Sequence, residues 1–464
     1  MSDTLTTGFV AEAMRAKGYD VRPGPDVPVT GGAADSRNVM PGDLFTAFPG
    51  ENVDGNDYVP AAIANGAVAV ICERAPEDVG DCTVVVAPNA TRAVGELAHA
   101  WRMECNPKVV GITGTVGKTT AKEMTAAVLA AQFRTHKSEG NFNSREGLPL
   151  ALMSLRRDHE VSVLEMGMDS AGEIVELCEI ARPDVGVVLN IGLTHVSKLG
   201  SIEAIAREKL SLARWLPEKA TAILNLEDPR IADAAHELRC RVIGFGQAVA
   251  HREGRMELTY GEYTSERLAG SRFWVSAGPN SNYRVDSPLP GEHTVPAVLT
   301  ALCAGMALGM RLVDACNAVG KTNVSGRSRT LAGINGSTVI DDRYNASPAS
   351  VAGALRLLRE NRNGTRIALL GKMAELGDFE REEHKRMGTM AKTCADILAS
   401  FGPLGRIIID AAVVAGMTDA HWFETKEEAS AYVASRATEG STILVKGSRS
   451  EALETILPLL EAKP

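Results

Sequence analysis

A glycine-rich turn followed by Lys-Thr-Thr constrains this chain more than any other segment. Residues 111–124 read GITGTVGKTTAKEM, after the apolar pair Val109-Val110 and before a stretch rich in alanine, valine and leucine. A strand, a glycine loop and a helix in that order form a phosphate cradle, because loop amides and the helix N-terminus face the anion. Gly114 and Gly117 permit the tight turn. The alternative, an ordinary glycine turn before a helix, does not account for the Lys-Thr pair.

The same loop carries side chains that suit a polyphosphate and a magnesium ion. Lys118 can reach the β- and γ-phosphates, and the Thr119 hydroxyl can ligate Mg²⁺. The usual pattern begins with a glycine where this chain has Ile112, so its glycines at 111, 114 and 117 make a variant loop. The segment therefore predicts a nucleotide site with an unusual first position.

Size and composition indicate a globular protein of several domains. The chain has 464 residues, 45% hydrophobic and 23% charged, with a formal net charge of −9. At about 100–200 residues per domain, two to four domains are expected. The acidic balance argues against nucleic acid as the main partner, because no basic surplus exists to neutralise phosphates. The eight cysteines lack zinc or redox spacing. With no signal peptide or membrane span expected, we predict a cytoplasmic protein.

Alternating apolar runs and helix-like stretches predict an α/β protein with parallel sheets. Residues 108–325 form one such series, in which residues 251–290 alternate like an antiparallel hairpin addition. A second series begins near residue 326. Glycines at strand ends of such sheets mark a ligand crevice. Buried strands of the two series are expected at residues 109–113, 161–166, 185–191, 222–226, 241–244, 337–340, 366–370, 406–409 and 442–446.

Three titratable residues follow the loop at positions where a ligand could bind. Glu165 closes an apolar strand, and a carboxylate at a strand end beside a phosphate loop is well placed to hold Mg²⁺. His195 follows the next strand, in the segment NIGLTH. A lone histidine is more often packed or exposed, and imidazole is not the usual magnesium ligand. Lys209 lies in a helix-like segment, where the pattern alone indicates an exposed lysine.

Other polar loops are less specific candidates. Asp342 lies in the turn DDRYNASP after a strand, and KGSRS at 446–450 follows the final strand. A basic, hydroxyl-rich loop can bind a carboxylate through arginine and backbone amides, and a surface turn is the alternative. The segments DSR at 35–37 and EGNFN at 139–143 are polar, and neither is specific alone.

In this order, the motifs resemble the Mur ligase family of ATP-dependent amide-bond ligases. The resemblance extends from about Asp35 to Arg449 and rests on GTVGKTTAKEM, EGNFN, LEMG, NIGLTH, LPGEH, DDRYNASP, ELG with His384 after it, and VKGSRS. It implies three domains: a mixed α/β nucleotide-sugar domain at 1–106, a central phosphate-loop, parallel-sheet ATPase domain at 107–325, and a Rossmann-like domain at 326–464.

The resemblance also implies a role for each candidate residue. ATP would contact Gly114, Thr115, Gly117, Lys118, Thr119, Thr120, Arg327 and Asp342. Magnesium would be held by Thr119, Glu165 and His195. Lys209 would match a lysine that is carbamylated in relatives, and with Lys118 and His195 it forms the catalytic set. The uridine nucleotide would contact Ser36 and Arg37. The muramyl group would contact Asn141 and Asn143. An incoming dipeptide would contact Lys446, Ser448 and Arg449.

Within the family, three segments favour one branch. The Lys-Glu-Met after the loop, the YNA turn and the KGSRS ending are similar to the ligases that join D-alanyl-D-alanine to UDP-N-acetylmuramoyl-tripeptide. The implied reaction passes through an acyl phosphate made with ATP and releases ADP and phosphate. It belongs to peptidoglycan synthesis, and so to cell-wall biogenesis, cell shape and cell division. A monomer is expected.

Departures from the family pattern leave alternatives open. The adenine-side signature carries two asparagines after the histidine, and this chain has Thr294 and Ala297 in that segment. Lys372 stands within the usual Gly-Asp-Met, and Ser211 stands where an acid is usual two residues after Lys209. Another Mur-type ligase with a different amino acceptor, or a non-catalytic ATP-binding partner subunit, therefore remains compatible with the sequence.

Overall fold

Three successive β-sheets, of five, nine and six strands, organise the part of the chain that the structure describes. Helices pack on each sheet, which confirms the α/β architecture with three sheet-containing regions. No helix in the described part of the chain has the length and apolarity needed to cross a bilayer. The computed structural model describes residues 2–50, 53–247, 256–278, 281–324, 328–361 and 364–462.

The first sheet is small and mostly parallel, in the order β1-β5-β4-β3-β2, with only β1 antiparallel to its neighbour. Its strands are β1 (Asp20–Arg22), β2 (Gly31–Ala33), β3 (Asp43–Thr46), β4 (Ala69–Cys72) and β5 (Thr83–Val86). The helices are α1 (Thr7–Ala16), α2 (Val59–Ala64) and α3 (Ala90–Cys105). Helix α3 buries Leu97 and Trp101 in a core that also includes Leu148 and Leu177, so the first two regions share one apolar interior.

The central sheet has the order β14-β13-β12-β11-β10-β9-β6-β8-β7. Its strands are β6 (Lys108–Thr113), β7 (Thr135–Lys137), β8 (Val161–Glu165), β9 (Val185–Val188), β10 (Thr221–Asn225), β11 (Arg241–Gly246), β12 (Met256–Ser265), β13 (Ser271–Ser276) and β14 (Asn282–Ser287). The helices are α4 (Lys118–Leu129), α5 (Gly147–Leu152), α6 (Glu173–Ala181), α7 (Val196–Leu199), α8 (Ile202–Trp215), α9 (Pro229–Ala234), α10 (Val295–Ala307) and α11 (Leu312–Val319). Strands β12 to β14 pair antiparallel, as the alternation predicts. Residues 251–255 and 279–280 of that predicted hairpin lie outside the described residues.

The third sheet has the order β15-β16-β20-β17-β18-β19, with only β15 antiparallel. Its strands are β15 (Arg329–Ala332), β16 (Thr338–Asp341), β17 (Arg366–Leu370), β18 (Ile397–Phe401), β19 (Ala420–Phe423) and β20 (Thr442–Lys446). The helices are α12 (Pro348–Glu360), α13 (Glu380–Cys394), α14 (Gly402–Val414) and α15 (Lys426–Arg436).

The strand predicted at 406–409 is wrong, because those residues lie inside helix α14. Ile408 and Ile409 lie on the buried side of the helix, and Ile407 is partly exposed. Arg406 bonds Asp410 one turn later, at 3.0 Å. A short apolar run fits a buried strand and a helix face equally well, so periodicity could not separate them. The strand of that region is β18, which ends just before the helix begins.

Parallel pairing brings the candidate residues to common sheet edges. Strands β8, β6 and β9 are neighbours, so the loops after Thr113, Glu165 and Val188 leave the central sheet side by side. In the third sheet β16 and β20 are neighbours and end at Asp341 and Lys446. Ligand crevices of such sheets form outside the carboxyl ends of the strands.

Candidate active site

The phosphate loop connects β6 to α4 and has no room for a larger residue at its first turn. A Cβ atom on Gly114 would lie 2.8 Å from Leu189 Cβ, and Gly117 adopts φ +86° as the residue preceding α4. The Lys118 Nζ atom donates to the Gly114 carbonyl at 2.8 Å, so the ammonium lies over the loop. These contacts place a cation and a helix N-terminus at one point, which suits a phosphate.

Asn190 fixes the shape of this loop from the neighbouring strand end. Its Oδ1 atom accepts from the amides of Thr115 and Val116 at 3.0 and 2.9 Å. Its Nδ2 atom donates to the Val116 carbonyl at 2.9 Å. The Thr115 hydroxyl donates to the Gly192 carbonyl at 3.2 Å. The sequence interpretation did not single out Asn190, although it opens the NIGLTH segment; a polar residue next to a buried strand end was the available signal.

Glu165 is a buried carboxylate held by two neutral donors. Its side chain is 1% exposed. The Thr119 hydroxyl donates to Oε2 at 2.7 Å, and the Asn143 amide donates to Oε1 at 2.7 Å. Neither donor carries a charge, so neither of these two contacts pairs the carboxylate with a cation. Asn143, predicted to contact the muramyl group, therefore contacts Glu165 directly, whereas Asn141 is exposed on the same loop.

A buried lysine on helix α4 supports the loop that carries Asn141 and Asn143. Lys122 is fully buried, and its Nζ atom donates to the carbonyls of Ser138 and Gly140 at 2.5 and 3.1 Å. The same atom lies 3.0 Å from Glu123 Oε1. The helix that begins at the phosphate loop thus also holds the segment that carries Asn141 and Asn143.

Lys209 is buried beside the phosphate loop. Its side chain is 1% exposed, and Nζ donates to the Gly114 carbonyl at 3.1 Å. The exposed-lysine interpretation is therefore wrong. Burial lowers the pKa of Lys209 well below its ordinary value, the charge of Lys118 adds to the decrease, and Glu208 opposes it. A lysine in this state holds a larger neutral fraction, and the neutral amine is the nucleophilic form.

His195 faces two carboxylates, one from each side of the cleft between the central and third sheets. It has a left-handed backbone, with φ 52°. Its Nδ1 atom lies 2.6 Å from Glu375 Oε2 and 3.3 Å from Asp169 Oδ1, in contacts that are not hydrogen bonds of ordinary geometry. Burial lowers the pKa of His195, and both carboxylates oppose that decrease. The sequence interpretation missed Asp169 and Glu375, because no local pattern connects them to His195.

The third sheet contributes a buried ion pair to the cleft. Lys446 Nζ lies 2.7 Å from Asp342 Oδ2 and donates to the Asn345 carbonyl at 3.0 Å. Lys446, predicted to lie near a dipeptide, is thus placed beside Asp342, which was predicted to contact ATP. Arg327 lies outside the described residues, and its neighbour Ser328 lines the cleft.

One cleft gathers most of the predicted nucleotide and metal residues. It is a cavity of about 210 Å³ between the central and third sheets. The predicted residues that line it are Thr115, Gly117, Lys118, Thr119, Thr120, Glu165, His195, Asp342 and Lys446. Thr294 and Ala297, which depart from the adenine-side signature, also line it. No cluster of three or more histidine, cysteine or acidic side chains suited to a metal occurs among the residues the structure describes.

The remaining predicted substrate residues do not line this cleft. Ser36 is buried in the first region, where its carbonyl accepts from Asn65 Nδ2 at 2.8 Å. The neighbouring Arg37 is exposed and paired with Asp35 at 2.7 Å. In the third region Ser448 is buried, with its hydroxyl 2.9 Å from the Ser450 hydroxyl.

Arg449 is the exposed cation of the last predicted loop. Its guanidinium carbon lies 5.8 Å from the centre of the Tyr344 ring, and Nη1 lies 3.4 Å from Glu454 Oε1. Its side chain is 68% exposed. The arginine is thus held near a ring from the turn after β16 while its charge stays accessible to solvent.

Three family models match the chain in succession. "Mur ligase family, catalytic domain" matches residues 28–104, "Mur ligase middle domain" matches 112–305, and "Mur ligase, glutamate ligase domain" matches 326–449. Together they span the three sheets and the cleft between the second and third.

Similar proteins cover nearly the whole chain. The UDP-N-acetylmuramoyl-tripeptide–D-alanyl-D-alanine ligase of Bacillus subtilis (strain 168) is 33% identical over 94% of each chain. A crystal structure of MurF from Acinetobacter baumannii superimposes with a TM-score of 0.83 at 28% identity, over 98% of each chain. MurF ligase from Thermotoga maritima in complex with ADP gives 0.77 at 26% identity, over 93% of this chain and 97% of that one. The chain belongs to the Mur ligase family.

Proposed function

We propose that this chain joins D-alanyl-D-alanine to UDP-N-acetylmuramoyl-tripeptide at the expense of ATP, in peptidoglycan synthesis. The observation that carries the proposal is the cleft in which a phosphate loop, a buried carboxylate and a paired Asp342–Lys446 meet. Its support is the similarity, over nearly its full length, to ligases of that name. Fold alone would not choose among chemistries.

The residues around Glu165 fit a magnesium ion. Magnesium in nucleotide sites is bound through one or two carboxylates, with phosphate oxygens and water completing the shell. Thr119, Glu165 and His195 would hold it, and it would offset charge on the ATP phosphates. Among the described residues, the donors to the buried Glu165 carboxylate are the neutral Thr119 and Asn143 side chains, so its charge is left to interact with a cation.

The proposed reaction has two steps. An oxygen of the tripeptide's terminal carboxylate attacks the γ-phosphorus of ATP, a P–O bond forms, and ADP leaves. The amine of the dipeptide then attacks the carbonyl carbon of this acyl phosphate, inorganic phosphate leaves, and the nitrogen loses a proton. Lys118 stabilises charge on the transferring phosphoryl group, and holding both reactants in one cleft supplies orientation.

Lys209 is proposed to be carbamylated. Its neutral amine would attack CO₂ and lose a proton, which gives an N-carboxylate anion in place of an ammonium. The burial that lowers its pKa favours the neutral amine. The new anion would lie next to the ammonium of Lys118, because both lysines contact the Gly114 carbonyl, and the two groups would form a pair of opposite charge.

Substrate ends are assigned to the outer regions. Residues 1–106 would bind the uridine nucleotide, with Ser36 and Arg37 at the site, and Asn141 would face the muramyl group. Residues 326–464 would bind the dipeptide, with Ser448 and the exposed Arg449 near its carboxylate. We further propose that the enzyme acts as a monomer in the cytoplasm, which light scattering and cell fractionation would test.

Phosphate release measured with separate substrates tests the proposal. ATP turnover should require UDP-N-acetylmuramoyl-tripeptide and increase strongly with D-alanyl-D-alanine. D-alanine, L-lysine or meso-diaminopimelate should not replace the dipeptide. Product formed with a single amino acid, and none with the dipeptide, would assign the chain to another ligase branch. ATP binding without turnover on any substrate would indicate the non-catalytic partner subunit.

A further inference from the structure

The loop that carries His195 is docked on the third region at three points. Leu193 packs against the apolar core of the third region. The Val196 amide donates to the Glu375 carbonyl at 3.1 Å. The Glu375 carboxylate lies 2.6 Å from His195 Nδ1. The position of this histidine therefore depends on a segment that belongs to a different sheet region.

The segment around Glu375 is itself firmly anchored. The Met373 amide donates to Nε2 of the fully buried His384 at 2.9 Å, and Met373 and Leu376 are 1% exposed. Glu375 has φ 62°, a left-handed backbone that side-chain-bearing residues seldom adopt. His195 has the same unusual conformation, and such residues persist where surrounding contacts fix them.

The contact with Glu375 determines which nitrogen of His195 faces the cleft. An unprotonated Nδ1 would repel a carboxylate oxygen 2.6 Å away, so the contact favours a proton on Nδ1, although its angle is not that of an ordinary hydrogen bond. His195 lines the cleft, which leaves Nε2 as the atom available to a ligand there. Neutral imidazole ligates metals through one nitrogen while the other donates to a carboxylate, and that partner commonly fixes the tautomer.

We infer that Glu375 is a positioning residue which orients His195 from the third region, so that the magnesium site becomes complete only when that region is docked. The inference rests on the proposed function, because it requires magnesium and nucleotide in the cleft. Asp169 also approaches Nδ1, but at the longer distance of 3.3 Å, and its other carboxylate oxygen pairs with Lys198 at 3.1 Å, so it should hold His195 less strongly than Glu375 does.

The test measures how strongly magnesium strengthens ADP binding, by calorimetric titration of the full chain with magnesium and with EDTA. Glu375→Ala should weaken binding about tenfold with magnesium, as is usual when the partner of a metal-bound histidine is lost. With EDTA its affinity should equal that of the unchanged protein. Glu375→Gln, which keeps an acceptor oxygen, should restore most of the affinity. In turnover, Glu375→Ala should raise the KM for magnesium and leave kcat at saturating magnesium nearly unchanged.

Two matched variants control for misfolding at position 375 and for the loss of another carboxylate near His195. Glu375→Asn tolerates the left-handed backbone and cannot reach Nδ1, so it should behave as the alanine variant does. Asp169→Asn should change binding by less than twofold. An equal loss with and without magnesium, no loss at all, or a loss in Asp169→Asn as large as in Glu375→Ala would overturn the inference. An unchanged protein that binds ADP with magnesium but forms no amide would refute the proposed function alone.

Discussion

Glu165→Gln is the substitution for which the structure gives the sharpest expectation. The carboxylate accepts one bond from Thr119 and one from Asn143, both at 2.7 Å, in a site that is 1% exposed. Glutamine keeps one acceptor oxygen and presents an NH₂ group at the other position. The Thr119 hydroxyl can rotate and accept from that NH₂ while Asn143 still donates to the remaining oxygen, so both contacts can persist without the charge.

The expected loss therefore differs between stability and function. Replacing two bonds to a charged acceptor by neutral ones costs about 1–3 kcal/mol of folding free energy. Losing the anion opposite the transferring phosphoryl group should lower kcat by about 10²–10³. The catalytic loss should thus exceed anything that a lower melting temperature explains.

The assay combines thermal melting, ADP titration with and without magnesium, and phosphate release. Asp184→Asn is the matched control. It is the same kind of acid-to-amide change, and Asp184 accepts from the Val109 amide at 3.0 Å at the amino-terminal ends of the strands, away from the cleft. The control should lower the melting temperature similarly and leave turnover intact. Magnesium-dependent ADP binding and turnover at the level of the unchanged protein in folded Glu165→Gln would refute the assignment of Glu165 to the metal.

Four further predictions concern Lys118, Lys209, Arg449 and the buried His136. Lys118→Ala should lower phosphate release by about 10²–10³ without unfolding the protein; near-normal release would remove Lys118 from the reaction. Lys209→Ala should lose activity that added short carboxylates partly restore, and a fully active variant together with an unmodified Lys209 in well-resolved density of the unchanged protein would contradict the carbamylation. Arg449→Ala should raise the KM for D-alanyl-D-alanine more than that for ATP, because a carboxylate contact is lost; equal changes would contradict its assignment. Burial lowers the pKa of His136 to about 4, against about 6.5 when unfolded. The buried neutral imidazole therefore contributes fully to stability above about pH 6.5. The free energy of unfolding should decrease by about 3 kcal/mol as the pH falls from there to about 4. His136→Gln should show a shallower decline in thermal melts across that range, and an unchanged slope would refute the burial argument.

Local pattern predicted much of the fold and the phosphate loop. The order of strand, glycine turn and helix identified β6 and α4, since both the apolar run and the glycines act on neighbouring residues. Glu165 was predicted because a strand end is visible in sequence. The strand predicted at 406–409 was wrong because a run of three isoleucines is compatible with a buried strand and with a buried helix, and the local sequence does not distinguish the two.

Contacts between distant segments could not be predicted in this way. The burial of Lys209 depends on how α8 packs against the loop after β6, 95 residues earlier in sequence. The approach of Glu375 to His195 depends on two sheets docking, and nothing near either residue encodes it. Asn143 was expected to face a substrate, and its bond to Glu165 arises only once two strand-end loops lie side by side.

The contacts of Asn190 determine when the ordering cost of the phosphate loop arises. Fixing the backbone of one residue costs about 1–2 kcal/mol in conformational entropy. Because the Asn190 carboxamide already bonds the backbone at Thr115 and Val116, that entropy is lost when the chain folds rather than when nucleotide arrives. Nucleotide therefore meets a preorganised receptor and keeps more of its contact energy as affinity. Asn190 thus contributes to nucleotide affinity without needing to contact the nucleotide.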